Sequence, residues 1–198
     1  MVAGLFDGPH ATPPEAASGP VFLGIRNFRP TSLDLSDIRY IAEDNYAGWT
    51  KRVVPQQEDI VFTYEATLGF FALIPPHLRC CLGRRTALLR PRDAANNAYF
   101  LFHWFVAEPF QAFLRAHRQP GSTVDRIWLK DFPGYPVLLP SSKLVAAFNR
   151  LAKSMWSEIH NRQFASRTLT ALRDALLPQL LSGSLRVPAA MRLVEKAL

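Results

Sequence analysis

The amino-acid sequence predicts a mixed α+β (α/β) domain with a largely antiparallel sheet and flanking helices, followed by one long C-terminal helix of the coiled-coil type. Three observations predict this class. Short β-branched and aromatic segments separated by turns occupy the first half of the chain. The hydrophobic period becomes helical after residue 96, and no Pro or Gly interrupts residues 141–177.

The first elements are predicted to be short strands joined by turns. Residues 1–20 are rich in Pro and Gly and predict a loop, with at most a short extended piece at Val2–Phe6. A short helix is predicted over Glu43–Trp49, and Asp34–Ile41 fits a strand or a helix. The predicted strands are Val21–Ile25, Lys51–Val54, Asp59–Tyr64, Phe70–Ile74 and Leu82–Arg90.

Two helices are predicted after the strands. Asn96–Ala107 carries an aromatic stripe at helical spacing, and Pro109 stands in the first turn of a second helix that runs to His117. Such a stripe is typical of a domain core, because large aromatic side chains are usually buried. His103 within the stripe is therefore interpreted as an interior or boundary histidine.

The long helix begins after Pro140 and has room for about 37 residues, or roughly 55 Å. Its apolar residues follow alternating steps of four and three, which is a coiled-coil pattern. The middle of this seam is polar or small, at Glu158, Arg162 and Ala165. The seam packs either on this chain's own domain or on another helix or subunit. Its apolar members are Leu144, Phe148, Leu151, Met155, Leu169, Leu172 and Leu176.

Composition and charge restrict the class of protein. The chain has 198 residues, 48% of them hydrophobic, and a formal net charge of +7. Residues 141–198 hold nine Lys/Arg against three Asp/Glu, so the helical segment supplies most of the charge. This pattern fits either a solvated helix face or a surface close to nucleic acid or acidic partners. Adjacent Cys80 and Cys81, with no signal-peptide pattern or long apolar run, predict a reduced, cytoplasmic protein.

The sequence contains no recognisable catalytic motif. It lacks a nucleophile elbow, a phosphate-binding Gly-rich loop and a dinucleotide fingerprint. Asp59 and Glu65 flank a strand as in some nucleases, but the lysine expected two residues after the second acid is absent. The five histidines lack metal-ligand spacing, so no metal and no cofactor are expected.

Several stretches, taken in order, resemble the specificity subunits of type I restriction-modification systems. They are Asp7–Pro14 (DGPHATPP), Val21–Phe28 (VFLGIRNF), Asp59–Gly69 (DIVFTYEATLG), Gly121–Ile127 (GSTVDRI) and the tail from Asn161 to Gly183. The resemblance covers residues 2–187, and the order and spacing of the stretches carry it.

The resemblance implies a non-catalytic, sequence-specific DNA-recognition subunit that reads one half of a bipartite site on double-stranded DNA. It also implies docking of methyltransferase (modification) subunits, with a motor-nuclease (restriction) subunit joining for cleavage. Residues 1–140 would form the target-recognition domain, residues 141–187 the spacer and dimerisation helix, and residues 188–198 a tail. The usual family member has two such domains and two helices, so this half-length chain is expected to form a homodimer through its seam.

The DNA contacts are expected at polar and aromatic residues in or beside the turns, because Arg pairs with guanine and Asn with adenine. Lys51 and Arg52, after Trp49, fit contacts to phosphates. The alternative is a truncated scaffold that binds methyltransferase subunits or dimerises without reading DNA. The candidate DNA-binding residues are Arg26, Asn27, Trp49, Lys51, Arg52, Tyr64, Arg84, Arg85, Ser122 and Thr123.

Overall fold

The computed structural model describes residues 2–119, 124–188 and 191–192. The chain divides into two compact units, Met1–Ser154 and Met155–Leu198. The described residues form nine strands, and all of them belong to the first unit. In chain order they are β1 (Val2–Asp7), β2 (Ala16–Leu23), β3 (Phe28–Arg29), β4 (Ser32–Leu33), β5 (Arg39–Tyr40), β6 (Ile60–Thr63), β7 (Phe71–Leu73), β8 (Cys80–Leu82) and β9 (Thr86–Pro91).

The helices alternate with these strands and then follow them. Short 3-10 turns occupy Ile25–Asn27, Glu43–Asn45 and Phe132–Gly134. The α-helices are α1 (Tyr46–Trp49), α2 (Ala94–Val106), α3 (Glu108–His117) and α4 (Ser142–Leu181). The mixed α+β class with a long C-terminal helix is therefore confirmed.

The strands form one four-stranded sheet and two smaller ones. The main sheet has the order β1-β9-β6-β7 and is antiparallel throughout. A second sheet has the order β5-β2-β8, in which β2 pairs with β8 in parallel. Strands β3 and β4 form a separate antiparallel pair. The sheets are thus largely antiparallel, with one parallel pair.

The core of the first unit is apolar and strongly aromatic. Phe62, Phe71, Phe105 and Phe132 pack ring against ring, with centroid distances of 4.9–5.2 Å for the closely stacked pairs Phe62–Phe132, Phe62–Phe71 and Phe71–Phe105. Strand β6 is completely buried, which agrees with its β-branched and aromatic sequence. The aromatic stripe of α2 supplies Phe102 and Phe105 to the interior, as its spacing predicts.

Three details of the strand prediction are wrong. Residues 16–20, which are predicted to be a loop, form the first part of β2. Residues 51–54 form no strand: they precede Pro55, which lacks a backbone donor, and Arg52 turns its side chain to Asp7. The segment predicted as one strand, Leu82–Arg90, belongs to β8 and β9, with a turn between them. Arg85 in this turn has a φ of +69°, a left-handed conformation that ends regular pairing.

Helix α4 begins on the first unit through a buried face that differs from the predicted seam. Val145, Asn149 and Ala152 are the buried residues of this helix. They are each one position away from the seam residues Leu144, Phe148 and Leu151, which remain on the accessible side. The helix continues through Pro178 and ends at Leu181, shortly before Gly183 with a φ of +74°.

Cys80 and Cys81 are free and buried. Burial raises the pKa of both thiols, that of Cys81 to about 12, so both stay protonated at neutral pH. They fill space in β8 as small apolar residues. Within residues 2–119, 124–188 and 191–192, no helix combines the length and apolarity that crossing a bilayer demands.

Candidate nucleic-acid interface

Three chain segments meet at one end of the main sheet, and they bring several predicted site residues together. In the antiparallel register, Asp7 at the end of β1 lies opposite Ala87, and Thr63 at the end of β6 lies opposite Thr86. The turn before β9 therefore stands between the ends of β1 and β6. This turn carries Arg84 and Arg85, and the Tyr64 backbone amide donates to the Arg85 carbonyl at 3.2 Å.

A cavity of about 260 Å³ opens beside the end of β1. Its walls include Trp49, Lys51 and Arg52 on one side and the segment Asp7–His10 on the other. The Trp49 ring is held by an edge-to-face contact with Phe22 at 5.8 Å. The two cations after Trp49 are exposed, so the position expected for phosphate contacts is accessible.

The cations of this surface differ in whether a carboxylate neutralises them. Arg52 forms an ion pair with Asp7, and Arg85 Nε lies 3.1 Å from Glu65 Oε1. Arg84 and Lys51 form no ion pair with any residue that the structure describes. Arg84 and Lys51 therefore contribute positive charge that is not neutralised at this end of the sheet.

The structure corrects two predicted base contacts. Asn27 is 1% exposed: its Oδ1 accepts from the Gly24 amide at 3.1 Å, and its Nδ2 donates to the Asp34 and Asp37 carbonyls at 3.2 and 3.0 Å. This amide is fully used in shaping the turn after β2. Tyr64 is 7% exposed, and burial followed by the nearby charges of Asp7 and Glu65 raises its pKa. Neither side chain is accessible to a base, because Asn27 is buried in the turn after β2 and Tyr64 is buried after the end of β6.

A further predicted residue, Arg26, lies away from this end of the sheet. Arg26 is exposed, but it lies in the turn after β2 and its Nη2 is 3.3 Å from Asp37 Oδ1. This turn leads to Pro30, whose carbonyl accepts from the Phe71 amide of β7, at the sheet edge opposite β1. Ser122 and Thr123 lie outside the described residues.

A group of aromatic and basic side chains that the sequence analysis did not single out lies next to Tyr64. The Ile127 amide donates to the Tyr64 carbonyl at 2.8 Å, so residues 125–127 run beside Tyr64–Ala66. Trp128 follows and is 43% exposed. Arg126 and Lys130 both lie over its ring, 5.5 and 5.3 Å from the centroid. The alternation of cationic and aromatic residues at positions 126, 128 and 130 is the feature of the sequence from which this group could have been predicted.

The seam of helix α4 is accessible along its length. Leu144, Leu151, Met155 and Leu169 are 50–66% exposed. Within the first unit, an apolar cleft of about 580 Å³ lies between α2 and the first turns of α4. Phe148 forms its floor through edge contacts with Phe100 at 6.1 Å and His103 at 5.4 Å.

Among the described residues, no group of three or more His, Cys, Asp or Glu side chains could hold a metal ion. Asp59, one of the two acids considered from the sequence, is bound by Arg90 through contacts of 2.9 and 2.6 Å. Glu65, the other, is bound by Arg85. Both carboxylates therefore serve the structure of the sheet.

Part of this chain is similar in sequence to a known protein. Over 87 residues, or 43% of this chain, the sequence is 31% identical to the type I restriction enzyme MjaIX specificity subunit of Methanocaldococcus jannaschii. The resemblance to type I specificity subunits is confirmed. The matched region covers 20% of the length of that specificity subunit. No family model matches the chain.

Two solved structures align with most of the chain at low identity. One, from a study of complex assembly and conformational transition of the type I R-M system, has a TM-score of 0.48 and 19% identity; it covers 88% of this chain and 42% of that one. The other, the HsdS subunit from Thermoanaerobacter tengcongensis, has a TM-score of 0.41 and 18% identity; it covers 93% of this chain and 44% of that one.

Proposed function

We propose that this chain is a non-catalytic DNA-recognition subunit of a type I restriction-modification system, acting in the cytoplasm. The similarity to the MjaIX specificity subunit is the single observation that carries this proposal. In the proposal, the first unit reads one half of a bipartite site, and methyltransferase subunits docked on the chain carry out the chemistry.

The geometry supports the proposal through its accessible cations. Arg84, in the turn between β8 and β9, is exposed and has no ion-pair partner among the described residues. Leu82, two residues earlier, lines the same cavity as Lys51 and Trp49. An unpaired guanidinium on a sheet-anchored turn fits contact with guanine in the major groove, worth about 1–3 kcal/mol of discrimination. Lys51 would contact phosphates, which position the protein without carrying sequence information.

The accessible seam of α4 supports the second part of the proposal, pairing with a second copy of this chain. Leu144 and Leu151 flank the apolar cleft and stay exposed although α4 already buries its neighbouring face. A heptad seam of this kind would pair with the same seam of a second copy, because each copy leaves the same apolar surface uncovered. Two identical recognition units would then read a two-part palindromic site.

Co-expression with the methyltransferase subunits from the same genome tests the proposal. Single-molecule sequencing of the host DNA should show one methylated, two-part palindromic motif. The Arg84→Ala variant should relax one base position in each half, whereas Arg79→Ala should leave the motif unchanged, because Arg79 is already paired with Glu43. Absence of any methylated motif in the presence of assembled subunits would contradict DNA reading.

The scaffold alternative has its own supporting observation. Arg26, Arg52 and Arg85 are all engaged by carboxylates of this chain, which leaves fewer cations for bases than the sequence suggests. If this alternative holds, Arg84→Ala leaves the site choice unchanged while the assembly with methyltransferase subunits is retained. The same sequencing experiment, combined with co-purification, therefore separates the two functions.

A further inference from the structure

A surface cluster consists of Trp128, Arg126 and Lys130. Its two cations form no ion pair with any carboxylate of the described residues. The cluster is on the surface, since Trp128 is 43% exposed and Lys130 is exposed as well. Among the ion pairs of the described residues, neither Arg126 nor Lys130 takes part. The neighbouring carboxylate of Asp125 lies 3.3 Å from Arg118 Nη1 instead.

The arrangement concentrates positive charge at one point. Both cations lie within 5.5 Å of the centroid of one indole ring, which is within the range of a cation–π interaction. The ring holds the two side chains in place, yet a cation–π contact leaves each formal charge intact. Two like charges gathered over one ring repel each other, and a bound anion would relieve this repulsion.

Backbone hydrogen bonds attach Arg126 to the segment that follows β6. The Ala66 amide donates to the Asp125 carbonyl at 3.2 Å, and the Ile127 amide donates to the Tyr64 carbonyl. Residues 119 and 126 exchange both backbone hydrogen bonds, at 2.8 and 3.0 Å. Arg126 and Trp128 are therefore two residues apart on an extended segment that is fixed on both sides.

The position of the cluster relative to Arg84 indicates what kind of anion would bind there. Tyr64 is bonded through its amide to the Arg85 carbonyl and through its carbonyl to Ile127, so the Arg84–Arg85 turn and residues 125–127 border the same segment. Anions at Trp128 and at Arg84 would thus lie on the two sides of this one segment. A polymer with regularly spaced phosphates satisfies both positions at once.

We propose that Arg126 and Lys130, positioned by Trp128, form a clamp for backbone phosphates of duplex DNA. The proposal rests on the function proposed above and names a contact that the sequence analysis did not include. Arg126 and Lys130 bind phosphate oxygens, and Trp128 is a positioning residue. The clamp fixes the register of the DNA on the unit and carries no base preference.

The test measures the salt dependence of binding by the full-length protein, using fluorescence anisotropy of a labelled duplex of arbitrary sequence from 50 to 200 mM salt. Each phosphate contact contributes about 0.9 to the slope of log affinity against log salt. The double variant Arg126→Gln/Lys130→Gln should flatten this slope by about 1.8. The loss of affinity across the range then becomes about 12-fold smaller than in the parent.

The matched control removes two cations that are already paired. In Arg79→Gln/Arg115→Gln, Arg79 also lies over an aromatic ring, 4.3 Å from the Tyr46 centroid, but Glu43 neutralises it, and Arg115 is paired with Glu108. This variant should keep the parent slope. Trp128→Leu retains both charges and should show an intermediate slope at unchanged thermal stability, which a simple count of charges does not predict.

The outcomes separate this proposal from the proposed function. Equal slopes for the parent and the Arg126→Gln/Lys130→Gln variant overturn the clamp. A flattened slope in a protein that, assembled with methyltransferase subunits, methylates no motif upholds the clamp and overturns sequence reading. A parent chain that fails to bind duplex at 50 mM salt overturns both.

Discussion

Asn149 is the buried polar residue that attaches helix α4 to helix α2, and its replacement by Leu gives the sharpest test of this attachment. The side chain is 1% exposed. Its Oδ1 accepts from the amides of Tyr99 and Phe100 at 3.0 and 3.1 Å, and its Nδ2 donates to the Val145 carbonyl at 2.8 Å. Leu has the same number of side-chain heavy atoms, branched at the same carbon, but can form none of these three bonds.

The expected cost follows from the three lost hydrogen bonds. Each contributes about 0.5–1.5 kcal/mol net, so Asn149→Leu should lower the free energy of unfolding by about 3 kcal/mol. For a chain of this size, that change corresponds to a decrease in Tm of about 6–12 °C. Urea unfolding followed by circular dichroism, together with thermal unfolding, measures both quantities.

The matched control is Asn161→Leu, the same substitution at an exposed position of the same helix. It should change the free energy of unfolding by less than about 0.5 kcal/mol. If the two variants are equally stable, the amide of Asn149 does not hold α4 in place, and the reasoning from its contacts is refuted.

Three further predictions concern the seam, the Asp-Gly motif and acid stability. Leu151→Asp should convert dimers into monomers in sedimentation velocity, whereas Ser157→Asp, off the seam, should not; identical sedimentation of Leu151→Asp and the parent would contradict the seam. Gly8→Ala should lower the free energy of unfolding by about 1–3 kcal/mol, because its Cβ would lie 2.1 Å from a carbonyl oxygen of the facing turn. Gly48→Ala, with nothing within 4 Å, is its control, and equal melting temperatures would refute the steric argument. Burial lowers the pKa of His103, so the neutral form is favoured in the fold and stability should fall as pH decreases below the ordinary value of 6.5. His103→Phe should remove part of this fall in pH-dependent thermal unfolding, and an unchanged pH profile would show that His103 does not contribute.

The elements with strong local patterns could be predicted from the sequence. The apolar, β-branched run around Val61 gave β6, and the absence of Pro and Gly gave the long helix to within a few residues of Leu181. Strand β8 is not predicted as a separate strand, because Cys80–Leu82 is only three residues long and Leu82 is assigned to the following strand. Gly83, Arg84 and Arg85 separate β8 from β9, and Arg85 takes the left-handed conformation in this turn, for which a non-glycine residue has no reliable local signature.

The candidate site was harder to predict, because accessibility depends on tertiary contacts. Asn27 has a side-chain amide of the kind that can read a base. In the structure this amide forms hydrogen bonds with three backbone groups of its own turn. Arg126 stands in a stretch that carries the resemblance, but its role depends on Trp128, two residues later. The pairing of residues 125–127 with Tyr64 is long-range, and nothing in the local sequence specifies it.

Asp7 and Gly8 form the Asp-Gly motif near the N-terminus. The contacts of Gly8 connect the sheet to the proposed DNA-reading surface. Gly8 approaches the Gly83 carbonyl so closely that a Cβ would lie 2.1 Å from its oxygen, and the Gly8 amide donates to the Thr86 carbonyl at 2.9 Å. These contacts hold the end of β1 against the turn that carries Arg84. The same turn is held on its other side by the amide of Tyr64. Arg84 is therefore carried between two anchored segments, so a contact with a base would order its side chain without the additional cost of ordering the backbone of its turn.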